Sequence, residues 1–164
     1  MTQLSQLATK VGTSLKDSGQ TVAVAESSAG GIISAALLAV PGASAYFKGG
    51  GVVYTGEAKQ TLMALSDAKM AEARAATETH ALNLARAARE QLRADWGVGE
   101  TGAAGPTGNR YGDAPGHTCI GISGPSEKVM TLETSMDDRE KNMWAFAQAA
   151  LHLFKECISS AQKS

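Results

Sequence analysis

The stretch from Thr21 to Leu37 constrains this chain most. A short apolar run, Thr21-Val22-Ala23-Val24-Ala25, leads straight into the Gly/Ser turn Ala25-Glu26-Ser27-Ser28-Ala29-Gly30-Gly31. An apolar helix through Ile32, Ile33, Ala36 and Leu37 follows, which makes a strand-turn-helix unit. The alternation continues. Gly51-Val52-Val53-Tyr54-Thr55 reads as a second strand, followed by a short helix carrying Lys59, Leu62 and Met63. Ser66 and Thr77 are placed to cap a small and a long helix, the latter with apolar positions Leu82, Leu84, Ala85, Ala88 and Leu92. Segments 96–101, 116–123 and 128–134 read as strands. An amphipathic helix ending at Asp17-Ser18-Gly19 opens the chain, and another from about Asp137 to Ile158 closes it. Helices interleaved with strands predict an α/β fold: a single three-layer domain over residues 1–164, with a mixed sheet flanked by helices.

At 164 residues there is room for one continuous core and none for a second catalytic domain. The net charge of −1 supplies no positive field to gather nucleic acid. A small neutral or locally anionic partner fits better. No apolar stretch approaches the roughly 20 residues of a membrane span, so a cytoplasmic location is expected. Cys119 and Cys157 have no CxxC or Cys/His ligand spacing and read as reduced core thiols. His80, His117 and His152 are scattered, so neither a metal site nor a cofactor is expected.

Several residues carry potential chemistry. In the Gly/Ser turn, Glu26, Ser27, Ser28, Gly30 and Gly31 can form an anion cradle at a helix N-terminus, or the serines can simply cap that helix. Ser44, in the turn Pro41-Gly42-Ala43-Ser44-Ala45-Tyr46-Phe47, is a candidate nucleophile. It needs a base to take its proton, and a partly desolvated Lys59 can serve, with Tyr54 as relay. The structural alternative is a loop serine, a core tyrosine and a surface lysine. The loop through Thr101, Gly102, Ala103 and Gly105 offers backbone amides at a strand end, where ligands of open α/β sheets bind, or else is a plain turn. Gly97-Val98-Gly99-Glu100-Thr101-Gly102 satisfies G-x-G-x-x-G, but lies inside a strand and fails the context test for a dinucleotide site. Arg139 can bind phosphate or carboxylate, or form an exposed salt bridge at a helix start.

Taken together, these segments resemble the C-terminal domain of the CinA family over nearly the whole chain. The family's AESCTGG appears as residues 25–31, its PGSSAYF as 41–47, its GGVVAYSNEAKQ as 49–60 and its GIAGPxGG as 102–109. The resemblance implies hydrolysis of the carboxamide of nicotinamide mononucleotide to nicotinate mononucleotide and ammonia. It also implies Ser44 as nucleophile, Lys59 as general base, Tyr54 as proton relay, a pyridine nucleotide as the small-molecule partner, and a homodimer. Four positions depart from the pattern. Ser28-Ala29 replaces Cys-Thr, Asp113 replaces an expected lysine, Asn109 replaces a glycine and Met143 replaces an arginine. An acid in place of a cation near a phosphate site is expected to weaken binding by about 1 kcal/mol. The alternatives are therefore a catalytically impaired domain of the same fold and an amidase for another small amide.

Overall fold

The computed structural model describes residues 2–163. Helix α1 (Gln3–Ser18) starts on the Thr2 hydroxyl, which accepts from the Ser5 amide, and stops at Gly19 in the left-handed conformation. Strand β1 (Val22–Glu26), helix α2 (Ile32–Leu38) and a 3-10 turn (Ala43–Ala45) come next. They are followed by β2 (Phe47–Val52), α3 (Gly56–Met63) and α4 (Asp67–Glu72). Helix α5 (Glu78–Leu92) leads to β3 (Trp96–Ala103), β4 (His117–Ser123), β5 (Lys128–Glu133) and α6 (Arg139–Gln162).

The five strands lie in the order β2-β1-β3-β4-β5. Strands β2, β1 and β3 are parallel, while β4 and β5 add antiparallel. Helices α1, α2 and α6 cover one face around Val24, Ile33, Trp96, Phe146 and Phe154. Helices α3 and α5 cover the other around Ala23, Val53, Met63 and Leu84. The expected three-layer α/β architecture with a mixed sheet is what forms.

Strand β2 begins and ends earlier than the expected 51–55, because Gly49, Gly50 and Gly51 carry no β-branched signal yet pair with β1. Val53 makes the last bond, its amide donating to the Glu26 carbonyl, and Tyr54 is already outside the ladder. The glycines of β3 have a packing role. A Cβ on Gly97 would stand 1.9 Å from the Ala85 carbonyl oxygen, and one on Gly99 2.1 Å from that of Ala81. Their absence lets α5 rest directly on the sheet backbone, which accounts for the G-x-G-x-x-G match without a dinucleotide.

Candidate functional site

Strand β1 connects to β2 on one side and borders β3 on the other, so the crevice beyond the C-terminal ends of these three parallel strands is where an open α/β sheet takes a ligand. Its floor is made by two buried acids. Glu26 ends β1 and turns back onto α2: one carboxylate oxygen accepts from the amides of Gly31 (2.9 Å) and Ile33 (3.0 Å), the other from the amide (2.9 Å) and hydroxyl (2.8 Å) of Ser34. Glu100, on the neighbouring strand, accepts from the amides of Ser27 (3.0 Å) and Ala29 (2.8 Å) and from the hydroxyls of Ser28 and Thr118. Burial pushes the Glu100 carboxyl above its ordinary pKa, against the pull of those donors.

This corrects the anion-cradle reading of the Gly/Ser turn. The amides of Ser27, Ala29, Gly31, Ile33 and Ser34 are engaged by the carboxyl groups of Glu26 and Glu100, so they do not face a ligand. Glu26 is a helix cap, and Ser28 holds Glu100. The Ser27 hydroxyl, on a buried residue, makes no hydrogen bond among the described residues. Gly30 and Gly31 have positive φ, and the Met143 side chain lies against Gly30, with its Cε 2.5 Å from where a Cβ would be.

The loop after β3 behaves differently. Its carbonyls are held from α6: Arg139 donates to the Gly105 oxygen (2.6 Å) and the fully buried Asn142 to that of Ala104 (2.8 Å). Ala104 and Gly105 are buried, yet their amides make no hydrogen bond among the described residues, nor do those of Thr107 and Gly108. Buried orphan amides are rare unless something binds them. Within β3 itself, the Thr101 hydroxyl accepts from the Ala76 amide, and Gly102 allows β4 to approach, a Cβ there standing 2.3 Å from the His117 oxygen. The Ala103 carbonyl accepts from the Gly116 amide. These three are framework, and the free donors lie just beyond them.

Arg139 makes no ion pair among the described residues; its second donor reaches the Tyr54 hydroxyl at 3.1 Å. The guanidinium thus ties the end of β2 to the loop after β3. Tyr54 is 58% exposed, which corrects its reading as a core tyrosine. Lys59 is the reverse, a lysine only 4% exposed. It sits on α3, which Thr55 caps by accepting from the Ala58 amide. Its ammonium makes no hydrogen bond or ion pair among the described residues. Burial pulls its pKa below the usual lysine value, with the Glu100 charge opposing. Buried His80 stands in the same field, pushed down to about 4 by burial and then by the Lys59 charge. Its Nδ1 is bonded to the Ala73 carbonyl and its Nε2 has no partner among the described residues.

Ser44 is not in this crevice. It lies exposed in the 3-10 turn ahead of β2, whereas Tyr54 and Lys59 follow β2. Six residues of strand separate the two ends by roughly 20 Å.

Two departures noted in the sequence explain each other. Asp113 receives both guanidinium nitrogens of Arg74 (2.8 and 3.3 Å) and the Asn109 side-chain amide (2.8 Å). The hydrogen bonds from Arg74 hold its carboxyl below the usual range. The acid is therefore neutralised in place, which corrects the expected repulsion of phosphate. Asn109 in turn accepts from the amides of Tyr111 and Asp113 and closes the loop. Sequence reasoning missed Glu100, Asn142, His80 and Thr118. The signal for Glu100 was a single acid inside a strand otherwise made of small and apolar residues.

Fold and crevice define an open α/β domain with a crevice at the strand ends. The chain belongs to the CinA family: the model of the CinA C-terminal domain matches residues 4–158. A CinA-like protein from Salinibacter ruber is 35% identical over 149 residues, which is 91% of this chain and 36% of the relative. One from Synechococcus elongatus is 41% identical over 120 residues, 73% of this chain and 28% of the relative. The chain thus spans about a third of the length of these relatives. Among solved structures, the competence/damage inducible protein CihA from Agrobacterium tumefaciens superposes with a TM-score of 0.88 at 25% identity, covering 97% of each chain. No helix among the described residues is long and apolar enough to cross a membrane.

Proposed function

We propose that this chain is an amidohydrolase that converts nicotinamide mononucleotide to nicotinate mononucleotide and ammonia, acting in the cytoplasm. The observation that carries the reading is Lys59: a buried lysine of lowered pKa, with no hydrogen-bond or ion-pair partner among the described residues, in the field of Glu100 on β3. Burial favours the neutral amine of this lysine, the form that accepts a proton. Ser44 Oγ attacks the carboxamide carbon while its proton passes to Lys59 Nζ, with Tyr54 as relay. Collapse of the tetrahedral adduct expels ammonia, which takes that proton and leaves an acyl-serine. Water repeats the sequence on the ester, releasing the carboxylic acid and restoring the hydroxyl. The free amides of Ala104 and Gly105 suit an oxyanion or a phosphate oxygen, and Arg139 adds the positive charge. Within the chain, β2 holds Ser44 away from the crevice.

Ammonia release from nicotinamide mononucleotide tests the reading. The wild type is expected to turn over, and Lys59→Met to lose on the order of 10²–10⁴ in kcat, the span of a general base. The rate should rise with pH through the Lys59 pKa, since only the free amine accepts the proton. One observation favours a second reading, binding without turnover: Met143 occupies the turn at Gly30 where the family pattern has a cation. Heat of binding on titration with the nucleotide and no ammonia would support that reading.

A further inference from the structure

We infer that Asn142 is a positioning residue for the substrate phosphate: by holding the Ala104 carbonyl from α6 it fixes the direction of the Gly105 N–H, from which the phosphate accepts. This rests on the amidohydrolase reading above, which supplies a phosphate-bearing substrate. Covalent geometry carries the first step. A peptide unit is planar and, in its trans form, points its C=O and its N–H in opposite directions. The Ala104 oxygen accepts from Asn142 Nδ2 at 2.8 Å, so the N–H of the same trans unit, that of Gly105, is turned away from α6. The preceding unit is fixed likewise. Its Ala103 oxygen accepts from the Gly116 amide at 2.8 Å, which turns the Ala104 N–H away from Gly116. Neither N–H meets an acceptor among the described residues, although both residues are buried. The next unit differs. Arg139 holds the Gly105 oxygen, but the nitrogen across that bond belongs to Pro106 and has no hydrogen to direct. Arg139 therefore brings charge to the loop, and Asn142 brings direction.

The carboxamide itself is held from turning over. Asn142 is fully buried, and its Oδ1 accepts from the Thr134 hydroxyl at 2.5 Å. Its Nδ2 then faces two acceptors, the carbonyls of Ala104 and, at 2.9 Å, of Met136. A flipped amide would set its oxygen against both of them. Thr134 is oriented in turn, because its hydroxyl oxygen accepts from the Met136 amide at 3.1 Å and keeps its hydrogen for Asn142. The turn between β5 and α6 thus sets the direction of a donor in the loop after β3. The anion that fits this loop is a phosphate. Thr107 and Gly108 add two more amides with no acceptor among the described residues, and Arg139 makes no ion pair among them, so several donors and a cation are on offer where a single oxyanion takes up two.

Two measurements on the full chain test this. In the first, isotope-labelled protein is titrated with inorganic phosphate and followed by amide NMR. The Gly105 amide resonance is expected to shift to saturation in the wild type, and Asn142→Leu to need on the order of tenfold more phosphate, the loss of one charge-assisted hydrogen bond. In the second, ammonia release from nicotinamide mononucleotide is measured. KM should rise on the order of tenfold in Asn142→Leu with kcat unchanged, the signature of uniform binding, whereas a general loosening of the site would lower kcat as well. Thr134→Val leaves Asn142 in place and frees its carboxamide to turn over. It should move both readouts in the same direction by a smaller factor, and it keeps the test decisive if Asn142→Leu does not fold. A wild-type Gly105 resonance indifferent to phosphate overturns the proposal. So do wild-type phosphate affinity and KM in the folded variants, or a fall in kcat at unchanged KM. A wild type that releases no ammonia removes the amidohydrolase reading instead, and the phosphate titration then decides the role of Asn142 by itself.

Discussion

Two Gly-rich loops leave the C-terminal ends of adjacent parallel strands, and they differ in which of their amides are hydrogen-bonded. The turn after β1 is folded onto Glu26 and Glu100, which take up its amides from inside the protein. The loop after β3 is held by its carbonyls, on Arg139 and Asn142, and leaves its amides free. Glycine content does not distinguish them. What does is which half of the peptide group the surrounding side chains engage. A buried carboxylate closes a turn to anions; a guanidinium or carboxamide on the carbonyls orients the same kind of turn to receive them.

Removing the acid should break this comparison with the largest effect. In Glu100→Ala, two buried amides and two hydroxyls lose their acceptor at once. The loss is expected to be about 3–5 kcal/mol, read as a fall in urea midpoint at unchanged slope. Glu26→Ala uncaps α2 and should cost more than the roughly 1 kcal/mol of a single N-cap, because one carboxylate serves three amides and a hydroxyl. An undiminished midpoint in both variants would mean that the turn holds its shape without the acids.

Acid sensitivity should come next, and it reports on the buried side of the crevice. His80 has a folded pKa of about 4, below its ordinary value of about 6.5. Between those values the unfolded chain binds the extra proton, so stability is present above about pH 6.5 and is lost as pH falls toward 4. The full loss is on the order of 3 kcal/mol. His80→Gln, which does not titrate, should flatten that part of the stability profile, whereas an identical slope in variant and wild type would assign acid lability elsewhere.

On the open side, Arg139→Gln removes the charge that bridges Gly105 and Tyr54. Hydrogen bonds to charged groups contribute about 1.5–3 kcal/mol, so kcat/KM for ammonia release should fall roughly 10- to 150-fold with little change in melting temperature. A variant that unfolds instead would make Arg139 a structural strut.

The sequence read the layered architecture and most element ends well, because capping residues and apolar period are local signals: Gly19, Ser66 and Thr77 each stop or start the helix assigned to them. Strand β2 was displaced, since its triplet of glycines has no local β signature and is held by pairing with β1. Lys59 and Tyr54 were legible as chemistry by type and spacing, but their exposures were not, since α3 buries the lysine and β2 ends before the tyrosine. The closing of the turn was illegible for a different reason. Glu100 is 73 residues from Ser27 in sequence, and only the parallel register of β1 and β3 brings it beneath the turn. The Arg74–Asp113 pair, 39 residues apart, escaped in the same way.

The smallest effect should come from Met143, and it sharpens the contrast most. Residue 143 follows Arg139 by four positions on α6, so the two stand one turn apart on the same face. Arg139 serves the open loop, while Met143 covers Gly30 in the closed turn. Met143→Arg would bring a cation to the closed side, above the buried carboxylates, where a solvent-screened charge contributes about 1 kcal/mol. If substrate phosphate extends over both loops, KM for nicotinamide mononucleotide should fall about fivefold with kcat unchanged, the signature of uniform binding. If the loop after β3 holds the phosphate by itself, the new guanidinium pairs with the acids beneath it and KM stays put. The variant therefore tells whether the turn after β1 is closed to ligand because of its backbone or because this chain carries a methionine over it.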